Sequence, residues 1–364
     1  MPGPPPAVAA VRVAVRRGLT GAGLAEESAW DPAAEPGPDA PLVAVACSGG
    51  ADSLALAAGV GFVAPRLGVR AVALVVDHGL QEGSGEVARV AAAQARELVG
   101  AAEVLTAQVD PAGAGPEAAA RGARYAVLLA RADELGAVGL LVGHTLDDQA
   151  EQVLLGLARG SGARSLAGMR PARSAEANAS GREDHGLELL RPLLGLRRSV
   201  TEQACAELGL VPWTDPHNAD RRYARVRARQ ALGRLGEELG PGLPEALART
   251  ADLLREDADA LDDWADTAYR DRGRWEEGRW TAQVGDVAEL PRAVRTRVWR
   301  TAALALGSPG TDLTAEHLGA VDELVTHWRG QGPLHLPGGV RAGRGGDRVW
   351  LSGAIPSTMA TAST

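Results

Sequence analysis

Short apolar runs of Val, Ala and Leu alternate through the first half of the chain with longer stretches whose apolar positions recur at helical spacing. Leu42 to Cys47 (LVAVAC), bounded by Pro41 and Ser48, reads as a strand buried on both faces, since a parallel strand between two helical layers is apolar throughout rather than alternating. Val69 to Asp77, Val104 to Val109 and Val138 to Val142 repeat the pattern as three further strands. Between and after them Glu86 to Val99, Glu117 to Ala132 and the stretch from Asp147 onwards read as helices. Strands that alternate with helices predict an α/β domain on an open parallel sheet.

The remainder is of a different kind. Ala7 to Leu19 is free of acids and bears arginine, as a transit peptide would, but it lacks serine and carries a helical apolar stripe; it is expected to be a leading helix packed on the body. Gly21 to Asp39, rich in Ala, Pro, Gly and acids, is expected to be a solvated linker. Leu243 to Ala268 is a helical, acidic connector, and Leu290 to Leu306 and His317 to Trp328 are amphipathic helices. Pro333 to Leu351 alternates and turns twice at glycines, as a hairpin does. The expected organisation is a leading helix and linker over 1–40, a main domain over 41–235, a connector over 236–279, a smaller helical α+β domain over 280–353 and a disordered tail over 354–364.

Composition narrows the chemistry. With 364 residues, 45% of them hydrophobic, the chain can bury two cores, and with one Phe and three Tyr those cores must be built mainly from Ala, Val and Leu. No apolar run is long enough to span a bilayer. Cys47 and Cys205 are too few for a disulfide framework or a zinc site, which fits a reducing cytoplasm. There is no lysine, so a Walker-type phosphate lysine and a Schiff-base lysine are both excluded. A formal charge of −8 argues against a polyanionic partner unless basic groups gather on one face.

The first strand breaks into Ser48-Gly49-Gly50-Ala51-Asp52-Ser53 before a helix. Two glycines ahead of a helix start give a concave row of backbone N–H groups at the positive end of the helix, an anion seat to which Ser48 and Ser53 can add hydroxyls. Asp52 beside phosphate makes sense chiefly with a divalent metal between them. Asp77-His78-Gly79-Leu80 ends the second strand on the same rim, where ligands of open sheets bind. Arg121, Arg124 and Arg131 fall on one side of their helix. Gly143-His144 turns off the fourth strand, Asp147 is placed to cap the next helix, and Asp148 and Glu151, three apart, project from one face near its positive end, where they could bind a metal or clasp an ammonium group. Arg221, Arg222, Arg225, Arg227, Arg229 and Arg234 crowd around Tyr223 as an RNA-backbone stripe, and Arg292, Arg295, Arg297 and Arg300 are either a second one or a wet helix face.

Taken in order, SGGADS, VDHGL, EAAARGARY, GHTLDDQAEQVLLGLARGSG, LAGM, Arg191-Pro192-Leu193-Leu194, WTDPHN from Trp213 and RVRAR from Arg225 resemble the N-type ATP pyrophosphatase (PP-loop) domain of the tRNA(Ile)-lysidine synthetase family over most of residues 42–235. The resemblance implies a carbon–nitrogen ligase with ATP and Mg²⁺ as cofactors. It activates C2 of the wobble cytidine of a CAU-anticodon tRNA(Ile) by adenylation and joins L-lysine there. It implies that Ser48 to Ser53 hold the phosphates and Asp52 the metal, that Arg124 and His144 act in catalysis with Asp148, that Asp148 and Glu151 bind the lysine, and that Arg225, Arg227 and Arg229 bind tRNA. A homodimer is left open. SGGxDS alone marks a wider superfamily, so tRNA thiolation or small-molecule amidation is the alternative; the absence of clustered cysteines counts against thiolation. Three positions depart from the family pattern: Thr145 replaces a histidine, Gln152 a threonine and Val226 an asparagine.

Overall fold

The computed structural model describes residues 3–77, 79, 83–107, 116–160, 162–174, 186–214 and 220–353, with the side chains of 116–120 excepted. His78 and Leu80 of the DHGL turn, Val109, the Glu117 side chain, Asp215 to His217 with Asn218, and the tail over 354–364 lie outside the described residues.

The chain forms two compact units, Met1–Leu254 and Arg255–Thr364. In the first, α1 (Pro6–Gly21) precedes β1 (Leu42–Ala46), α2 (Ala51–Arg66), β2 (Arg70–Asp77), α3 (Ser84–Val99), β3 (Ala102–Thr106), α4 (Pro116–Glu134), β4 (Ala137–Leu141) and α5 (Leu146–Ala158). The short α6 (Ala163–Leu166), β5 (Ala172–Ser174) and β6 (Glu188–Leu190) follow, then α7 (Arg198–Glu207) and α8 (Ala224–Leu239). The sheet order is β3-β2-β1-β4-β6-β5, parallel except for β5 against β6.

Successive residues of a strand serve opposite faces, and here both faces are covered. Val43, Val45, Ala73 and Val75 enter a core shared with α1, α2, α3 and α7, while Ala44, Val72 and Leu74 enter a second core with Leu128 and Ala132 of α4. That double demand is why the strands read as unbroken apolar runs. Helix α1 packs as expected, burying Ala7, Val8, Val11, Val15 and Leu19. The segment after it is less free than a solvated linker: Leu24 and Trp30 pack against the first core, and the Arg16 guanidinium sits 4.7 Å from the Trp30 ring centroid. Strand β3 begins two residues before the expected Val104, because Ala102 already pairs with Ala73.

The α9 helix (Leu243–Arg272) runs on from the first unit into the second, with Ala251, Ala258 and Ala265 buried at intervals of seven. The second unit carries β7 (Gly273–Glu276), β8 (Arg279–Gln283), α10 (Val284–Ala288), α11 (Arg292–Ala305), α12 (Ala315–Thr326), β9 (Leu334–His335), β10 (Arg341–Gly345) and β11 (Arg348–Ser352). Its antiparallel sheet is ordered β7-β8-β11-β10-β9, so the expected hairpin is three strands joined by a second hairpin that charge and tryptophan masked in the sequence. Trp280, Ala282, Ala342, Val349 and Leu351 point into the core against Val294, Val298 and Trp299 of α11 and Val321 and Leu324 of α12.

The arginines of α11 are mostly consumed inside this unit. Arg295 is buried and grips Asp322 with Nε at 2.5 Å and Nη2 at 2.9 Å, while Trp299 Nε1 donates to the same carboxylate at 3.2 Å. Arg297 pairs with Asp262 at 2.7 Å, and Arg300 donates to the carbonyls of Gly310 and Leu313. Arg295, Arg297 and Arg300 are therefore held by acceptors of this unit, while Arg292 stays exposed, 3.9 Å from Asp322. Among the described residues no helix is long and apolar enough to cross a membrane.

Candidate active site

Strand β1 lies at the centre of the parallel run with β2 on one side and β4 on the other, so the loops leaving β1 and β4 meet at the point where the strand order diverges. The β1 loop bends at Gly49, whose φ of +80° suits glycine and whose absent Cβ would lie 2.9 Å from the Ala91 Cβ on α3. The Gly49 carbonyl accepts the Trp213 N–H at 2.9 Å. Ser53 is buried, donates to the Gly50 carbonyl at 2.9 Å and accepts the Ser48 N–H at 3.1 Å, so it braces the bend, and Ser48 is exposed with its hydroxyl 3.3 Å from that of Ser53. The first amides of α2, those of Ala51, Asp52 and Ser53, have no carbonyl partner within their own helix, the arrangement that can receive an anion.

The β4 loop is pressed on this cradle. A Cβ at Gly143 would lie 3.0 Å from the carbonyl carbon and oxygen of Asp52 and 3.1 Å from the Ser53 nitrogen. His144 and α5 follow at once. The expected cap, Asp147, does not cap α5: Thr145 opens that helix, and its N–H and hydroxyl both donate to Asp148 Oδ2, at 2.8 and 2.9 Å. Asp147 instead accepts the main-chain N–H of Arg198 at 2.8 Å, capping α7, and pairs with Arg197 at 3.1 Å. The residue that replaces the family's second histidine thus has a structural task.

Three carboxylates converge on one guanidinium. Arg198 donates from Nε to Asp52 Oδ2 at 3.1 Å and from Nη2 to Asp148 Oδ1 at 2.8 Å, and its Nη1 lies 3.6 Å from Glu151 Oε1. Asp52 Oδ1 accepts the hydroxyl of the fully buried Thr201. Glu151 Oε1 accepts from Arg229 Nε at 2.7 Å, whereas the buried Oε2 has no hydrogen-bond partner among the described residues. Arg198 and Thr201 were not among the expected site residues. One signal was available: two arginines stand at the positive end of α7, where the helix dipole disfavours them, so carboxylates from elsewhere had to be near.

Burial pushes the Asp52 and Glu151 carboxyls up; Arg198 and Thr201 oppose this at Asp52, and Arg229 opposes it at Glu151. Burial also acts to raise Asp148, but Arg198 and the Thr145 N–H outweigh it and hold the group below its ordinary range. His144 is lowered to about 3, chiefly by burial; Asp148 acts against this, and Arg121, Arg191 and Arg225 add to it. Its Nδ1 lies 3.2 Å from Arg191 Nε and its Nε2 3.3 Å from Arg121 Nη2; both guanidiniums can only donate, so a neutral ring, with one acceptor nitrogen, satisfies one of them at a time, and a protonated ring satisfies neither.

The other candidates are distributed around this centre. Helix α4 brings Arg121 to His144, and Arg124, three residues further along, is half-buried. Arg225 is half-buried near His144, Arg227 donates to the carbonyls of Arg221 and Arg222, and Arg229 turns to Glu151, so the run from Arg221 is not one outward stripe. Both cysteines are buried and unpaired; burial pushes the Cys205 thiol up to about 11. Among the described residues no three His, Cys, Asp or Glu side chains are grouped to hold an ion.

A glycine-bent phosphate cradle at the carboxyl end of a central parallel strand defines a PP-loop protein, and the PP-loop domain model matches residues 28–235. The TilS substrate binding domain model matches residues 283–350. The tRNA(Ile)-lysidine synthase of Thermobifida fusca is 51% identical over 97% of this chain and 99% of its own length, and that of Streptomyces coelicolor 50% identical over 95% and 98%. The chain belongs to the tRNA(Ile)-lysidine synthase family. Among solved structures, the U34-tRNA thiolase NcsA from Methanococcus maripaludis shares the fold, with a TM-score of 0.52 at 18% identity over 68% of this chain and 80% of its own.

Proposed function

We propose that this protein uses ATP to join L-lysine to C2 of the wobble cytidine in the CAU anticodon of tRNA(Ile), releasing pyrophosphate and AMP. The observation that carries the reading is the span of Arg198 from Asp52, beside the phosphate cradle, to Asp148, beside the partnerless Oε2 of Glu151. A nucleotide seat and an acceptor for a cationic amine thus lie one guanidinium apart, as a two-step ligation through an adenylated intermediate requires.

The roles follow from the atoms available. The cytidine O2 attacks the α-phosphorus of ATP, and the amides of Ala51 to Ser53 with the Ser48 hydroxyl hold the departing pyrophosphate. Mg²⁺ is commonly held by one or two carboxylates together with phosphate oxygens, and Asp52 fits that part once Arg198 Nε releases its Oδ2. When bound, the ion would offset charge on the phosphates. Glu151 Oε2 receives the ε-ammonium of lysine, with Asp148 fixed beside it by Thr145. The amine attacks C2 and AMP leaves. Glu151, raised by burial, is the better acceptor for the proton the ammonium must lose; His144 is poorly suited, since its Nδ1 is occupied by Arg191 and its pKa is about 3. Arg225, which lies near His144, and Arg124, on the helix that carries Arg121, would meet the nucleotide or RNA, and unit 2 would contribute tRNA binding.

The test is release of AMP and pyrophosphate from ATP with a tRNA(Ile) transcript, with and without lysine, together with transfer of labelled lysine to the RNA. Both products should require tRNA, and AMP release should also require lysine. Lysine-independent AMP release, or label that stays off the RNA, would remove the reading.

A further inference from the structure

We infer that the open face of the antiparallel sheet in the second unit is the surface on which that unit holds RNA, by its phosphate backbone. The inference rests on the reading of tRNA as substrate and names the face that the reading leaves unassigned.

The register decides what the sheet presents. Residues directly opposite one another on paired strands point to the same side. Arg279 of β8 stands opposite Glu276 of β7 and Ser352 of β11, and Ser352 in turn opposite Arg341 of β10. The next row carries Arg274, Thr281, Trp350 and Gly343, and a third begins with Arg348 opposite Gln283. The intervening residues, Trp280, Ala282, Ala342, Val349 and Leu351, are the buried set that faces α11 and α12. One side of the sheet is thus apolar core and the other carries four exposed arginines, Arg274, Arg279, Arg341 and Arg348, against the single Glu276, which pairs with Arg348 at 2.8 Å.

The face also has an aromatic tile. A Cβ at Gly343 would lie 2.5 Å from the Trp350 ring, so the indole lies down across the glycine instead of standing off the sheet. Trp350 stays half-exposed with the Arg279 guanidinium 5.1 Å from its ring centroid. Arg279 and Arg341 stand two strands apart, about 10 Å, on either side of the tile's strand. In a chain of net charge −8 this concentration of cations around a flat ring suits a polyanion that also offers bases to stack. The arginines of α11, the alternative surface in this unit, are mostly bound to acceptors of the protein itself.

The experiment uses the full chain and a tRNA(Ile) transcript, with affinity measured across a salt series. The double variant Arg279→Glu with Arg341→Glu should bind at least about tenfold more weakly, with the slope of log affinity against log salt reduced by about two. Trp350→Leu should weaken binding by about tenfold with the slope kept. Thermal unfolding and ATP affinity should match the wild type in both. Arg292→Glu, on the exposed end of α11, makes the same change of charge as either single sheet variant, half that of the double, and should leave affinity and slope nearly as they were. Wild-type affinity and slope in the sheet variant overturn the inference, as does an equal loss from Arg292→Glu, which would mark unspecific attraction. A wild-type protein that binds no tRNA at all overturns the substrate reading itself, and the two failures are told apart by that control.

Discussion

The carboxylate of Asp147 accepts the backbone N–H of Arg198 at 2.8 Å, and the neighbouring Asp148 accepts from the same residue's guanidinium at the same distance. Two adjacent acids on α5 thus fix the backbone and the side chain of one arginine on α7. Since Arg198 also reaches Asp52, the geometry of the phosphate cradle is tied to that of the acid pair.

Removing that guanidinium leaves three mostly buried carboxylates facing one another without their shared cation. Breaking one side of a buried ion pair typically costs about 3–5 kcal/mol. Arg198→Met should therefore lower unfolding stability by about 3 kcal/mol, and Arg198→Lys, which can reach one acid but not span two, should recover less than half. Urea denaturation reads this, and a loss under about 1 kcal/mol would place Arg198 among weak surface pairs.

The cap on α7 separates two contributions of Asp147. Asparagine keeps an oxygen for the Arg198 N–H but gives up the charge that faces Arg197; alanine gives up both. Asp147→Ala should be less stable than Asp147→Asn by about 1 kcal/mol, the usual worth of a helix cap. Equal melting of the two variants would show the cap to be idle.

Gly143→Ala is expected to act on ATP through packing alone. The new methyl group would meet the backbone of Asp52 and Ser53, which cannot swing aside as a side chain could. Overpacking of this kind costs about 1–3 kcal/mol, and here the relief must come from shifting the cradle. The KM for ATP should rise by about tenfold or more, at 1.4 kcal/mol per decade, with the KM for lysine changed less.

How much of this was readable in the sequence follows from where each contact comes from. The strand, bend and helix around Ser48 lie within the 25 residues from Leu42 to Arg66, and Asp148 and Glu151 are a single helical turn apart, so local pattern sufficed for both. Thr201 lies 149 residues from Asp52 and Arg229 lies 78 from Glu151, and their pairing is set by how α7 and α8 pack, which periodicity does not encode. The same limit applies in the second unit, where Arg295 has the spacing of a surface arginine and is buried against Asp322.

His144 gives a dependence of stability on pH with a definite sign. Its folded pKa, about 3, lies below the ordinary 6.5, so between those values the unfolded chain binds a proton that the folded one refuses. The contribution is present in full above pH 6.5 and is lost as pH falls, with a slope of about 1.4 kcal/mol per pH unit. His144→Asn, which still offers Arg191 an acceptor, should be flatter than the wild type by that amount in denaturation series between pH 6 and 5. Parallel curves would mean that the ring takes a proton in the folded state, which would restore its candidacy as a base.

Glu151 provides the sharpest separation of amine from nucleotide. Its Oε1 is held by Arg229 and its Oε2 is buried without a partner, so the group is already oriented and one acceptor is left over. Glu151→Gln keeps the size and an oxygen for Arg229 but turns the remaining atom into an N–H₂, a donor facing an ammonium that can only donate. A hydrogen bond to a charged group is worth about 1.5–3 kcal/mol, so the KM for lysine should rise by roughly ten- to a hundredfold. The cradle is untouched, and the KM for ATP should stay within about threefold. Initial rates at saturating tRNA, varying lysine and ATP in turn, measure both; if the two constants rise together, the pocket around Oε2 serves the nucleotide and not the amine.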